Sequence, residues 1–137
     1  MRTAIFGSLI VLTFVFAGCK GTLDPFAEPY NYHAYDQSGK LVVTGYLKFE
    51  QMDIEGVWGY WHLTNKNGAD HTGISESFGK FEGFLKGDAL YLDLHPGWKD
   101  NNVILQGLIS GKRYEGDWAY IGFPGVMNEG EFEATID

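Results

Sequence analysis

From Tyr30 onward, apolar and polar residues alternate with a period of two in short runs, and clusters of Gly, Asn and Asp separate the runs. Successive side chains of an extended chain point to opposite faces, so each run reads as a strand with one buried face. The pattern predicts eight strands: Tyr30–Asp36, Leu41–Gln51, Val57–Leu63, Phe78–Leu85, Ala89–Leu94, Val103–Ile109, Arg113–Tyr120 and Gly130–Ile136. The seventh sets Tyr114, Gly116, Trp118 and Tyr120 against Glu115, Asp117 and Ala119. The eighth sets Phe132, Ala134 and Ile136 against Glu131, Glu133 and Thr135, and the fifth sets Leu90, Leu92 and Leu94 against Tyr91 and Asp93. The third is apolar on both faces, so its orientation stays open. No stretch shows the i, i+3, i+4, i+7 spacing of an amphipathic helix.

Consecutive strands with one apolar face each need a closed core. An all-β, eight-stranded antiparallel up-and-down barrel supplies one and removes exposed edges; a two-sheet sandwich of the same meander is the alternative. Short sequential connections without a long crossover favour the barrel. Gly45, Gly79, Gly83, Gly107 and Gly116 fall within or at the edges of strands, where they permit bending beside large aromatics. Over Tyr30–Asp137 the pattern is similar to the lipocalin/avidin-like class of meander barrels. Gly56-Val57-Trp58 and Gly116-Asp117-Trp118 resemble the Gly-x-Trp of a lipocalin first strand, although here they open the third and seventh strands.

The N-terminus differs in kind. Met1-Arg2-Thr3 precedes an uncharged apolar run, Ala4–Phe16, followed by Ala17, Gly18 and Cys19. Such a run spans roughly 20 Å as a helix, too short for a hydrocarbon core of about 30 Å, and reads as a signal segment. Phe16-Ala17-Gly18-Cys19 resembles the lipobox of bacterial lipoproteins. That resemblance implies cleavage before Cys19, acylation of Cys19, and attachment to a membrane of the bacterial cell envelope on its extracytoplasmic side. The expected organisation is a signal peptide over 1–18, a tether over 19–29 containing Pro25 and Pro29, and a barrel over 30–137.

Composition narrows the chemistry. Among 137 residues there are 10 Lys+Arg and 18 Asp+Glu, a formal net charge of −8. That charge opposes nucleic-acid binding. The chain has 1 Cys, which excludes an intrachain disulfide and any multi-cysteine zinc site. His33, His62, His71 and His95 form neither HExxH nor a close pair, and no GxSxG, P-loop or dinucleotide motif occurs in its required context. No cofactor, metal or catalytic residue is therefore expected. An enzyme would need titratable groups converging at the barrel mouth. Glu129, Glu131 and Glu133, with Glu115 and Asp117 on the neighbouring strand, form an acidic stripe. It reads either as a solvated outer face or as a site for calcium or a cationic partner.

Loop parity singles out one end. The connections Met52–Gly56, Lys86–Asp88 and Ser110–Lys112 share one pole and are short. Thr64–Ser77, His95–Asn102 and Ile121–Glu129 share the other and are long, with only Gln37–Lys40 short there. Long connections usually have a use. Trp98 and Phe123 on them read either as a plug over the mouth or as contacts for a partner. Trp58, Tyr60, His62, Trp118 and Tyr120 are expected to point inward with Phe49, Phe81, Leu92, Leu105 and Phe132. An eight-stranded barrel is wide enough either to be filled by side chains or to hold one small ligand. The sequence thus predicts a lipid-anchored binding module for a small apolar or aromatic ligand, using Trp58, Tyr60, His62, Trp98, Trp118, Tyr120 and Phe123. The alternative is a filled barrel that holds another envelope protein.

Overall fold

The computed structural model describes residues 28–66 and 78–137. The signal and tether expectations, Cys19, and most of the Thr64–Ser77 connection with His71 lie outside the described residues.

The described chain forms eight strands: β1 (Tyr30–Asp36), β2 (Leu41–Asp53), β3 (Gly56–Asn65), β4 (Phe78–Lys86), β5 (Ala89–Asp93), β6 (Asn102–Ser110), β7 (Arg113–Gly122) and β8 (Gly125–Thr135). Each pairs antiparallel with its neighbour in sequence, and β8 returns to β1 to close the barrel. This is the eight-stranded meander barrel the alternation predicts, of the lipocalin/avidin-like kind. The turns between β4 and β5 and between β6 and β7 centre on Gly87 and Gly111, whose φ values of 61° and 56° favour glycine. Tyr30, at the start of β1, donates its hydroxyl to the Gly111 carbonyl at 2.7 Å. The chain therefore enters the barrel at the pole of the tight turns, and the β5–β6 connection, the longest among the described residues, lies at the other pole.

The inner face is filled. Leu47, Phe81, Leu92, Leu105, Tyr114 and Ala134 are fully buried, as nearly are Tyr30, Tyr32, Phe49, Trp61, Leu63 and Trp118. The aromatic rings pack edge-on or stacked: Tyr30–Phe49, Phe49–Phe81, Tyr32–Phe132 and Tyr114–Phe132 have centroids 5.4, 5.1, 5.6 and 4.8 Å apart. Such pairs add to plain area burial. Glycine makes the room. The Trp61 indole lies 2.6 Å from where a Cβ on Gly79 would stand, and the Phe81 ring lies equally close to Gly59. Where Gly107 faces Gly116, a Cβ on Gly116 would meet the Gln106 carbonyl oxygen.

Two expectations are corrected. The first concerns the third strand. Its inner face carries Val57, Gly59, Trp61 and Leu63, so Trp58, Tyr60 and His62 point outward. Its apolar residues fit either face. Packing decides: Phe81 needs Gly59 beneath it and Trp61 needs Gly79 beside it. The second concerns the last connection. Ile121–Glu129 is not a loop, because β7 and β8 pair out to Gly122 opposite Gly125 and leave only Phe123 and Pro124 between them. A register shift between Tyr120 and Ile121 lets the ladder continue. The hairpin runs past the core and buries neither face, which is why alternation does not mark it.

Gly116→Ala should destabilise the barrel by roughly 1–3 kcal/mol, because the added methyl meets backbone that cannot yield; chemical denaturation measures it. A second expectation concerns alkali. Burial raises the phenol pKa of both Tyr32 and Tyr114 above the ordinary 10.0, and the neighbouring Tyr32 phenol adds to the rise at Tyr114. The folded state holds these protons after the unfolded chain has released them. Stability contributed this way is complete below pH 10.0 and declines as the pH rises beyond it. Thermal unfolding scanned upward from neutral pH should show that decline, and Tyr32→Phe with Tyr114→Phe should flatten it.

Candidate functional site: the loop pole and the outer wall

The polar handles of Trp61, Trp118 and Tyr114 are engaged by backbone. Trp61 Nε1 donates to the Leu94 carbonyl at 2.8 Å, Trp118 Nε1 to the Tyr35 carbonyl at 2.8 Å, and Tyr114 Oη to the Leu90 carbonyl at 3.1 Å. A buried carbonyl left without a donor costs about 1–3 kcal/mol, so these bonds fix the rings in place. Of the expected inward residues, Trp118 is inside and is held in this way. Tyr120 sits at the rim, packed on the core edge, and its hydroxyl donates to Asn101 Oδ1 at 3.2 Å.

At the loop pole the β5–β6 connection is built around Asn102. Its buried amide donates to Asp93 Oδ1 at 2.7 Å and to the Trp98 carbonyl at 2.9 Å, and the His95 carbonyl lies 3.3 Å away. Asp93 Oδ1 also accepts the His95 backbone N–H at 2.9 Å. Asn101 adopts φ 53°, a conformation asparagine tolerates better than most residues. The result is a rigid loop in which the Trp98 ring stacks on His95 at 5.1 Å while remaining 58% exposed. Phe123, at the hairpin tip, is 94% exposed, and Val126 and Met127 beside it are exposed as well. Neither Trp98 nor Phe123 plugs the mouth. Both face solvent, at the same pole.

Trp58, Tyr60 and His62 belong to a third place, the outer wall of β2–β5. Tyr46 stacks on His62 at 5.5 Å, Trp58 meets Tyr60 edge-on at 5.9 Å, and Lys80 Nζ lies 5.0 Å over the Trp58 ring. Trp58 Nε1 donates to Gln51 Oε1 at 3.2 Å. Farther round, Phe84 stacks on Tyr91 at 4.9 Å. The seven sequence-predicted site residues therefore divide between core, rim, β5–β6 connection, hairpin tip and outer wall.

A groove of about 1000 Å3, open to solvent, runs along the outer wall beyond Tyr91. Its floor is formed by Tyr91, Ile104, Ala119 and Ile121, and one side by Asp117, Glu129 and Glu131. The β1–β2 turn, Asp36–Gly39, closes an end. That turn is stiff: Asp36 Oδ1 accepts Ser38 Oγ at 2.6 Å and the backbone N–H groups of Ser38 and Lys40 at 2.9 Å each. The Ser38 hydroxyl first, then the Lys40 N–H, hold the Asp36 carboxyl below its usual pKa. Sequence reasoning places the acidic stripe on the outer face but gives no sign of a concavity, because the hairpin that walls it reads as a loop. Among the described residues no group of His, Cys, Asp and Glu is arranged to hold a metal ion.

Comparison with protein-family models, with curated proteins and with solved structures finds no match. The functional reading rests on the geometry above.

Trp118→Phe should cost roughly 1–3 kcal/mol by removing the indole bond to the Tyr35 carbonyl and part of the ring's packing, whereas Phe123→Ser should shift stability by no more than about 0.5 kcal/mol. Equilibrium unfolding of the two variants checks the contrast between a structural aromatic and one displayed to solvent.

Proposed function

We propose that this chain is a lipid-anchored, extracytoplasmic protein-interaction module of the bacterial envelope, a filled barrel that presents its loop pole to another protein. The observation that carries the reading is the division of aromatics. The interior rings are packed together, with the Trp61 and Trp118 N–H groups and the Tyr30 and Tyr114 O–H groups bound to backbone, while Trp98, Phe123, Val126 and Met127 are displayed at one pole. Large apolar side chains held out on stiff supports suit a partner surface, and exposed Trp and Phe are typical anchors of such contacts. A small-ligand site inside the barrel would instead need open volume and free polar groups. For this reason the interior is read as scaffold.

The lipobox-like Phe16-Ala17-Gly18-Cys19 supports the anchor. Triacylation of the kind the resemblance implies gives stable attachment, where a single chain is marginal. The tether joins β1 at the pole of the tight turns, beside Gly111. Under this reading Cys19 lies on the membrane side and the Trp98–Phe123 pole is turned outward.

Cys19→Ser should abolish the acyl mass increment and release the protein from the membrane fraction; a variant still pelleting with membranes would refute the anchor. For the interaction, a photo-crosslinking residue placed at Phe123 in the native host should give a discrete adduct that Trp98→Ala diminishes. The same residue at Glu55, in the β2–β3 turn of the other pole, should not. Identical patterns from both positions, or none from either, would overturn the assignment.

A further inference from the structure

The groove on the outer wall carries a charge arrangement that the fold itself does not need. On β7 and β8 two carboxylate pairs stand directly opposite each other across the strands, Glu115 with Glu133 and Asp117 with Glu131. Like charges in such positions are destabilising. The first pair is bridged by a cation of the same wall: the Arg113 guanidinium lies 2.7 Å from Glu115 and 3.0 Å from Glu133. The second pair, inside the groove, has no such partner among the described residues. Glu129, next along β8, accepts only the Gln37 amide at 3.1 Å. The groove lining includes Asp36, Asp117, Glu129 and Glu131 and not one Lys or Arg.

Opposite these carboxylates the groove is apolar. Tyr91, braced by Phe84, Ile104 and Ile121 offer a floor that a hydrated metal ion would not use. One row of outward positions crosses the wall as Phe84, Tyr91, Gln106, Asp117 and Glu131. With strands about 4.8 Å apart, that row is roughly 19 Å long. The part of the row that lines the groove, Tyr91 to Glu131, is roughly 14 Å, and an extended segment of about six residues covers it with a residue over at each end. A second copy of this chain, at net charge −8, is a poor occupant.

We propose that this groove takes an extended cationic segment of a partner protein, its Lys or Arg side chains facing Asp117, Glu129 and Glu131 and its apolar side chains lying on Tyr91, Ile104 and Ile121. The charge complementarity supplies the register, and the floor excludes water beneath it. The inference goes beyond the loop-pole reading by assigning a second contact surface and the chemistry of its partner. It depends on neither the anchor nor the hairpin tip.

The test titrates a blocked peptide of about six residues, alternating Lys and Leu, into the full chain in detergent micelles, followed by amide chemical shifts. Perturbations should centre on Gln106, Asp117 and Glu131. Asp117→Asn with Glu131→Gln should weaken binding about tenfold or more, while Glu55→Gln with Asp88→Asn, which removes the same charge at the other pole, stays within about twofold. The first double variant should also melt no lower than the parent, since it relieves a like-charge pair. Equal weakening by both double variants would reduce the effect to general attraction and overturn the proposal. So would shifts confined to Phe123–Met127, or spermine binding as tightly as the peptide, which would indicate a small-polycation site. Failure of the Phe123 crosslink alongside groove-centred peptide binding would sink the loop-pole reading and leave this one standing.

Discussion

The seam between the last strand and the first holds the molecule together. β8 pairs with β1 from Asn31 opposite Thr135 to Asp36 opposite Gly130, residues about a hundred positions apart in a chain with no disulfide to join them. Three rings cover that seam from the inside: Phe132 of β8 stacks on Tyr32 of β1 and meets Tyr114 of β7 edge-on. Trp118 adds a bond from β7 across to the Tyr35 carbonyl of β1. Without this cluster the meander would be an open sheet with two exposed edges and a wet apolar face. With it, every inward position faces a closed volume that must be filled.

Filling that volume has a consequence for function. The barrel is closed by rings that use polar atoms on backbone, as Trp61, Trp118 and Tyr114 do, and the proposed reading therefore places recognition outside the barrel. Two features then stand on rigid supports. One is the loop pole, where Asn102 ties the β5–β6 connection and the Tyr120 hydroxyl steadies Asn101. The other is the β7–β8 hairpin, which continues its ladder past the core, ends in the exposed Phe123, and walls the acidic groove. A stiff hairpin can thus serve a tip contact and a groove contact together.

Much of the fold is legible in the chain. Leu90, Leu92 and Leu94, or Phe132, Ala134 and Ile136, can be buried on one face only, and the structure places them inward. Loop parity also follows from the order of the strands. The candidate site is less legible. Trp58, Tyr60 and His62 alternate with Val57, Gly59, Trp61 and Leu63, and both sets are apolar enough to be inside. Hydrophobicity cannot choose between them. The groove is hidden for a different reason: its wall is a hairpin whose two faces both meet solvent, so no alternation reports it.

The sequence by itself determined an all-β chain, its strand order and the inward faces of the strands with one apolar side, because period-two burial and short connections are local properties. Tertiary structure alone decided which face of β3 is inside, how far β7 and β8 run, and that the acidic stripe borders a groove. Those outcomes depend on ring-against-glycine fit and on pairing beyond the core, and both exist only once distant strands are brought together.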